Sequence, residues 1–214
     1  MMDGLYDELA EAYSRGMLPD AGSAADAADL LSRARAAGLK LHRFKRTMDL
    51  PQVRAVLGIL RGIGPQSLID FGSGRGVFLW PLLDAFPALP VTAVERDERR
   101  LGHLEAVRLG GIERLAVVSG DAAALPFASD QFDVATVLEV FEHQDDPLPL
   151  AREALRLAAR FVIASVPSKP DDNPEHVQLF TGETLKALLI EAGAAGVSID
   201  YVLGHIIAVA RVRT

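Results

Sequence analysis

The sequence predicts an α/β fold: a doubly wound, mostly parallel seven-stranded sheet with helices on both faces and a helical cap at the N-terminus. Three observations point there. From Ser67 onward, short β-rich runs alternate with helical patterns, the signature of a parallel sheet. The last two β-rich runs are joined only through Leu203-Gly204, which makes them an antiparallel hairpin. The first run ends in a glycine-rich turn that opens a helix, so a ligand site is expected at the carboxyl edge of the sheet, at its switch point.

The strands are expected at Ser67–Phe71, Pro90–Glu95, Leu115–Ser119, Phe132–Glu139, Phe161–Val166, Gly196–Val202 and His205–Val212. Helical patterns lie between them near 76–86, 97–109, 147–159 and 181–193. The last of these opens on Thr181, a residue type suited to accept a first-turn N–H, and closes at Gly193. Before Ser67 the pattern is helical at about 4–15, 24–37 and 51–61, with Pro51 suited to a first helical turn. Residues 1–64 are therefore set apart as an extension that packs on the sheet or covers its carboxyl edge, and 65–214 as the ligand-binding domain. The loop 167–180 is long and polar, and loops of that length in compact α/β domains often carry function.

Composition narrows the class. The 214 residues are 50% hydrophobic and 24% charged, as in an ordinary globular protein, and no apolar run reaches the roughly 18 residues of a membrane span. The acidic N-terminus lacks the features of a signal peptide, and there is no cysteine, so disulfide and thiolate chemistry are excluded and a cytoplasmic location is expected. The net charge of −7 speaks against a broad nucleic-acid surface, as does the 6% aromatic content, which leaves few residues to stack on bases. The charge is uneven, however. Residues 31–62 hold eight bases against Asp49 alone, and the stretch Lys40-Leu-His-Arg-Phe-Lys-Arg46 is positioned by this reading to greet an anionic small-molecule acceptor at the site mouth. A solvated helix face is the plainer reading of the same bases.

Ser67-Leu-Ile-Asp-Phe-Gly-Ser-Gly-Arg-Gly76 carries the first chemistry. Gly72, Gly74 and Gly76 let a ligand approach the backbone, and the following helix offers unpaired N–H groups, a combination suited to a nucleotide-like ligand. Glu95 ends the second strand, 19 residues after Gly76, where an acid can accept hydrogen bonds from a ribose diol. The pattern is GxGxG, with Asp70 two residues ahead of the first glycine, rather than GxGxxG. An acid at that point would repel a dinucleotide pyrophosphate but can meet an amino group. After the third strand, Asp121 and the backbone of Ala122 are placed to read an adenine amino group, with Leu125 and Phe127 as apolar walls.

Taken together, Asp70–Gly76, Val94-Glu95, Gly120-Asp121-Ala122, Leu125-Pro126-Phe127 and Phe132-Asp133-Val134 resemble the class I S-adenosylmethionine (SAM)-dependent methyltransferases of the type 11 kind, over about residues 65–212. The resemblance implies a Rossmann-like methyltransferase fold, SAM as cofactor, and Asp70, Gly72, Gly74, Gly76, Glu95, Asp121, Ala122 and Glu139 as its contacts. It further implies transfer of methyl to an acceptor, here expected to be a hydroxyl of a small molecule. The Glu139-x-x-Glu142-His143 cluster is similar to that of ubiquinone-pathway O-methyltransferases and of small-RNA 2′-O-methyltransferases, where such residues and a later histidine hold a divalent metal. By that resemblance Glu139, Glu142, His143 and His176 are candidate ligands, a set better suited to Mn²⁺, Fe²⁺, Co²⁺ or Zn²⁺ than to Mg²⁺. Metal-free proteins of the wider family carry the same cluster, and there His143 and His176 are candidates for acting on the acceptor directly. His42, His103 and His205 are read as structural, and Trp80 as packing. Two competing classes are a SAM-fold protein that binds without catalysis and, disfavoured by GxGxG and Asp70, an NAD-dependent oxidoreductase. The oligomeric state is not legible in the sequence.

Overall fold

The computed structural model describes residues 6–170 and 172–213. Its centre is one seven-stranded sheet in the order β3-β2-β1-β4-β5-β7-β6. The strands are β1 (Leu68–Phe71), β2 (Val91–Glu95), β3 (Leu115–Ser119), β4 (Phe132–Leu138), β5 (Ala158–Pro167), β6 (Gly196–Val202) and β7 (His205–Arg211). Strands β1 to β5 pair in parallel, and β7 runs antiparallel to both β5 and β6. The expected seven-stranded, mostly parallel sheet with its C-terminal hairpin is thus present, and the direction of winding reverses between β1 and β4.

Every residue of β1 is buried, as expected for a central strand covered on both faces. Alternation assigns the faces. Leu68, Val91, Leu115, Val134 and Ile163 join one apolar cluster, while Ile69, Phe71, Val94, Ala135 and Val162 join the other. The second face is covered by α6 (Leu148–Leu157) and α7 (Gly182–Glu191). The first is covered by α4 (Leu79–Ala85) and α5 (Glu98–Leu109), together with α1 (Asp7–Met17), α2 (Ala27–Ala36) and α3 (Pro51–Ile63) from the N-terminal segment. Val56, Leu57 and Leu60 of α3 and Leu9 and Tyr13 of α1 belong to the same cluster as the sheet residues. The crossing of α1 and α5 is close enough that a Cβ built on Gly16 would fall 2.0 Å from the Ala106 carbonyl oxygen.

Local signals fix several boundaries. Thr181 accepts from the Thr184 N–H, and the Thr184 hydroxyl reciprocates, which closes the first turn of α7. Asp26 does the same for α2 by accepting from the Asp29 N–H. Pro51 opens α3. The expected helix at 76–86 begins only at Leu79, because Gly72, Gly74 and Gly76 all take positive φ and hold the chain in a turn. The helix expected at 147–159 gives way at Leu157 to a strand that starts at Ala158, opposite Phe132. The first two residues of the helix expected over 4–15 lie outside the described residues, as does Asp171 of the loop after β5. Short 3₁₀ turns at Ala21–Ser23, Leu41–Phe44 and Phe141–His143 were not expected from the sequence. Among the described residues no helix is long and apolar enough to cross a membrane.

Candidate active site

A cavity of about 230 Å³ opens at the carboxyl ends of β1, β4 and β5, lined by Asp70, the glycine turn from Gly72 to Arg75, Leu138, Glu139 and Ser165, with Gln52 and Val53 of α3 on its rim. The N-terminal segment therefore packs on the sheet and also reaches the site. The turn that floors the cavity depends on two glycines for different reasons. Gly74 has φ +57°, and a Cβ built there would meet nothing nearer than the Gly72 carbonyl at 3.6 Å, so its exposed side faces open space. Gly76 is closed behind. A Cβ there would fall 2.0 Å from the indole of Trp80, which is buried against Phe44 and donates to the Arg75 carbonyl at 3.0 Å. Trp80 is packing, as its apolar surroundings suggested, and it braces the turn from behind.

Asp70 is 3% exposed at the end of β1. Ser73 Oγ donates to one carboxylate oxygen at 2.6 Å and Thr136 Oγ1 to the other at 2.7 Å. Burial nevertheless dominates: it pushes the Asp70 carboxyl up to about 6, with repulsion from Glu95 adding to it and the two hydroxyls opposing it. A buried carboxylate held this high is a site short of a cation. An ammonium group would supply it. Together with the open approach over Gly74, this donor set fits the amino-acid end of SAM.

Glu95 is buried at the end of β2. Its Oε2 accepts from the Gly74 N–H at 2.9 Å, and its Oε1 from the N–H groups of Arg96 and Asp97 at 2.8 and 2.9 Å. It thus ties the glycine turn to the loop after β2, and a carboxylate's four lone-pair directions leave room for a further donor. Asp121 and Ala122 lie in the loop between β3 and β4, where Asp121 Oδ1 accepts from the Ala123 N–H at 2.9 Å; neither lines the cavity. That loop is secured by a pair the sequence reading passed over. Glu153 of α6 accepts from the Leu125 N–H, and Arg156 donates to Glu153 and to the carbonyls of Phe127 and Leu125. Burial opposes ionisation of Glu153, but the bonds from Arg156 and Leu125 outweigh it and hold its carboxyl below the usual range.

The Glu139-x-x-Glu142-His143 cluster divides. Glu139 adopts φ +56°, an uncommon backbone for a residue other than glycine, and its side chain turns into the cavity. There it accepts from Ser165 Oγ at 2.6 Å and lies 3.3 Å from His205 Nε2. Glu142, His143 and His176 gather separately, with one ligand atom from each lying within 4.8 Å of the others. The expected four-residue ligand set is therefore three residues here, and Glu139 instead lines the cavity beside Asp70 and the glycine turn. His143 Nδ1 lies 2.9 Å from the Glu175 carbonyl, which can only accept, so Nδ1 is the donor of this bond and Nε2 is left for a ligand or acceptor. The His176 ring stands edge-on to it at 4.8 Å, and the Glu142 carbonyl accepts from the Val177 N–H, fastening the two segments together.

His205, expected from the sequence to be structural, stands beside the site. The register of β7 on β5 sets it opposite Pro167, which brings its ring to Glu139. The hydrogen bond to Glu139 raises its pKa above the usual value, with burial opposing and Glu142 contributing a further upward pull. Ser165 and Thr136 were also missed. Each is the lone hydroxyl of its strand, set in an apolar run (Val134–Leu138 and Phe161–Val166), which is the signal that would have found them.

Comparison with known proteins bears directly on this cavity. Residues 69–160 match the family model of the methyltransferase domain, a span that runs from β1 and its glycine turn through β4 and α6. Over that span the chain is similar to methyltransferase domains. It is 34% identical over 110 residues to the ubiquinone/menaquinone biosynthesis C-methyltransferase UbiE of Paracoccus denitrificans, covering 49% of this chain and 44% of that protein. It is 31% identical over 111 residues to UbiE of Cereibacter sphaeroides, again covering 50% and 44%. The matched region thus spans less than half the length of these relatives. The fold is shared with a SAM-dependent methyltransferase from Aquifex aeolicus (TM-score 0.63, 17% identity, 85% of this chain and 98% of that one). It is shared also with an O-methyltransferase family protein from Burkholderia thailandensis (TM-score 0.63, 17% identity, 86% and 60%).

Proposed function

We propose that this chain methylates a hydroxyl group of a small molecule, with SAM as the methyl donor. The observation that carries the reading is the buried, proton-avid Asp70 beside the open glycine turn, at the point where the sheet reverses its winding. Asp70 and the turn over Gly72 and Gly74 would hold the amino-acid end of the cofactor, Glu95 its ribose, and the loop at Asp121-Ala122 its adenine. Bound there, SAM supplies a methyl group activated by its sulfonium. The chain's own part is to align the acceptor, exclude water and take a proton. His143 suits the last task, since its Nε2 lone pair is directed by the Glu175 carbonyl bond on Nδ1. His176 stands beside it.

A metal at Glu142, His143 and His176 is the second means of activating a hydroxyl. Two imidazoles and one carboxylate suit Mn²⁺, Co²⁺ or Zn²⁺. Ligands at about 2.1 Å from one ion stand no more than about 4.2 Å apart, so the three side chains, now spread over as much as 4.8 Å, would close slightly on binding.

The relatives named above are C-methyltransferases, which favours carbon as the competing acceptor atom. A metabolite-extract screen with ¹³C-methyl-labelled SAM, run with EDTA and with added metals, separates these readings. We expect a product whose labelled methyl is bound to oxygen. A carbon-bound methyl would replace the acceptor assignment, EDTA-insensitive turnover would leave His143 as the base, and failure to bind S-adenosylhomocysteine would end the whole reading.

A further inference from the structure

A second cleft, of about 600 Å³, adjoins the cofactor cavity and shares Arg75 and Val77 with it as lining. Three segments distant in sequence build it: residues 40–47, the glycine turn at Arg75, and the first turns of α5. Lys40, Arg43, Lys45, Arg75, Arg99 and Arg100 all line it, and the one carboxylate among the lining residues is Asp97. In a chain of net charge −7 this is a concentrated positive field.

Little within the cleft neutralises that field. Asp97 is occupied as the cap of α5, accepting from the N–H groups of Arg99 and Arg100, with the Arg99 guanidinium 3.9 Å away. Arg100 reaches Glu95 only at 3.8 Å. Arg43 lies over the Tyr13 ring, 5.1 Å from its centre, and its Nε donates to the Lys40 carbonyl, so its guanidinium is held from two sides before any ligand arrives. The crowding is felt by His103, whose pKa is lowered first by burial and then by the positive charge of Arg43. Arg46, the last base of the same run, turns elsewhere: it pairs with Asp84 at 3.3 Å and lies over Tyr6. The run therefore divides into bases that converge on the cleft and one that does not, which a uniformly solvated face would not produce.

We propose that this cleft binds a phosphate or diphosphate group carried by the methyl acceptor, beside the cofactor cavity. A single carboxylate would leave most of the positive charge unmet, whereas a diphosphate offers several oxygens around its surface. Four of the six cations are arginines, whose planar fork suits phosphate oxygens. The proposal rests on the methyltransferase reading above and specifies its substrate class.

The test uses the full chain saturated with S-adenosylhomocysteine and titrated with inorganic pyrophosphate, followed by calorimetry and by the imidazole resonances of the five histidines. Saturable binding is expected, with shifts at His42 and His103 but not at His143 or His176, and with the pKa of His103 rising because a bound anion favours its charged form. Arg43→Gln combined with Arg99→Gln should weaken pyrophosphate roughly tenfold or more while the affinity for S-adenosylhomocysteine holds. Arg46→Gln should leave both unchanged. The histidine shifts are read on the unaltered protein and stand whether or not the double variant folds. Absence of saturable binding, competition between pyrophosphate and S-adenosylhomocysteine, or tight binding of a single-stranded oligonucleotide in place of pyrophosphate would each overturn the proposal. Loss of S-adenosylhomocysteine binding by the unaltered protein would instead count against the methyltransferase reading itself.

Discussion

Asp70 is held in the ionised form at a cost, and removing that cost separates stability from cofactor binding. Its carboxyl rises from 3.8 to about 6 on folding, chiefly through burial. At about 1.4 kcal/mol per tenfold in proton affinity, that rise makes the ligand-free fold less stable by up to about 3 kcal/mol at neutral pH. The sign follows from a folded value above the unfolded one: the penalty is absent below about pH 3.8, grows as pH rises, and is complete above about pH 6. Asp70→Asn should remove it without leaving the new amide unsatisfied. Whichever hydroxyl faces the amide nitrogen can turn its proton to a backbone carbonyl, Ser73 Oγ to that of Asp70 at 3.2 Å or Thr136 Oγ1 to that of Ile69 at 3.4 Å, and accept from the amide N–H, while the other hydroxyl still donates to the amide oxygen. Urea denaturation of both proteins from pH 4 to 8 should show no difference at the acid end and a variant more stable by about 1–3 kcal/mol above pH 6.5. Calorimetry at pH 7.5 should show S-adenosylhomocysteine binding lost from the variant. In the unaltered protein, affinity should drop about tenfold between pH 7 and pH 5, as the carboxylate that meets the ammonium takes up a proton. A variant that is destabilised at neutral pH, or that binds the ligand normally, would refute the assignment of Asp70 as the ammonium partner.

Three further outcomes are expected. Glu95→Ala removes an acceptor for the Gly74 N–H as well as the ribose contact, so the affinity for S-adenosylhomocysteine should fall roughly ten- to a hundredfold by calorimetry, at about 1.4 kcal/mol per decade. Glu153→Gln leaves Arg156 without its carboxylate partner, and should cost about 1–3 kcal/mol in denaturation and increase amide exchange at Leu125 and its neighbours. His205→Asn removes an imidazolium partner from Glu139. Because the raised pKa makes that stabilisation present at acid pH and lost as pH rises above about 6.5, the melting-temperature difference between variant and parent should shrink from pH 6 to pH 9.

The cavity at the carboxyl edge of the sheet was legible because its parts are local. A strand followed by three spaced glycines, an acid at the end of the next strand and a threonine at a helix start each state their structure within a few residues. The periodicity of 67–119 and the short link at Leu203-Gly204 suffice for the order of elements and the terminal hairpin. What stayed hidden depended on approach from elsewhere in the chain. The helix at 76–86 starts late because the turn before it consumes residues in left-handed conformations. The Glu153–Arg156 pair reads as an ordinary helix-surface ion pair until the loop at Leu125 and Phe127 is laid over it.

The sequence by itself determined the α/β class, the glycine turn and the identity of Asp70 and Glu95, because spacing along a strand–turn–helix unit leaves the backbone few alternatives. Only the tertiary structure decided how the remaining polar groups associate. A positive φ at Glu139 sends it into the cavity while its neighbours Glu142 and His143 turn toward His176, so proximity in sequence did not become one ligand set. The antiparallel register of β7 on β5 sets His205 opposite Pro167 and so carries it to Glu139, far earlier in the chain. Packing against Tyr13 and Tyr6 sends Arg43 toward the cleft and Arg46 away from it. Register and packing of this kind are settled by which apolar faces bury against each other, and one segment alone does not contain that information.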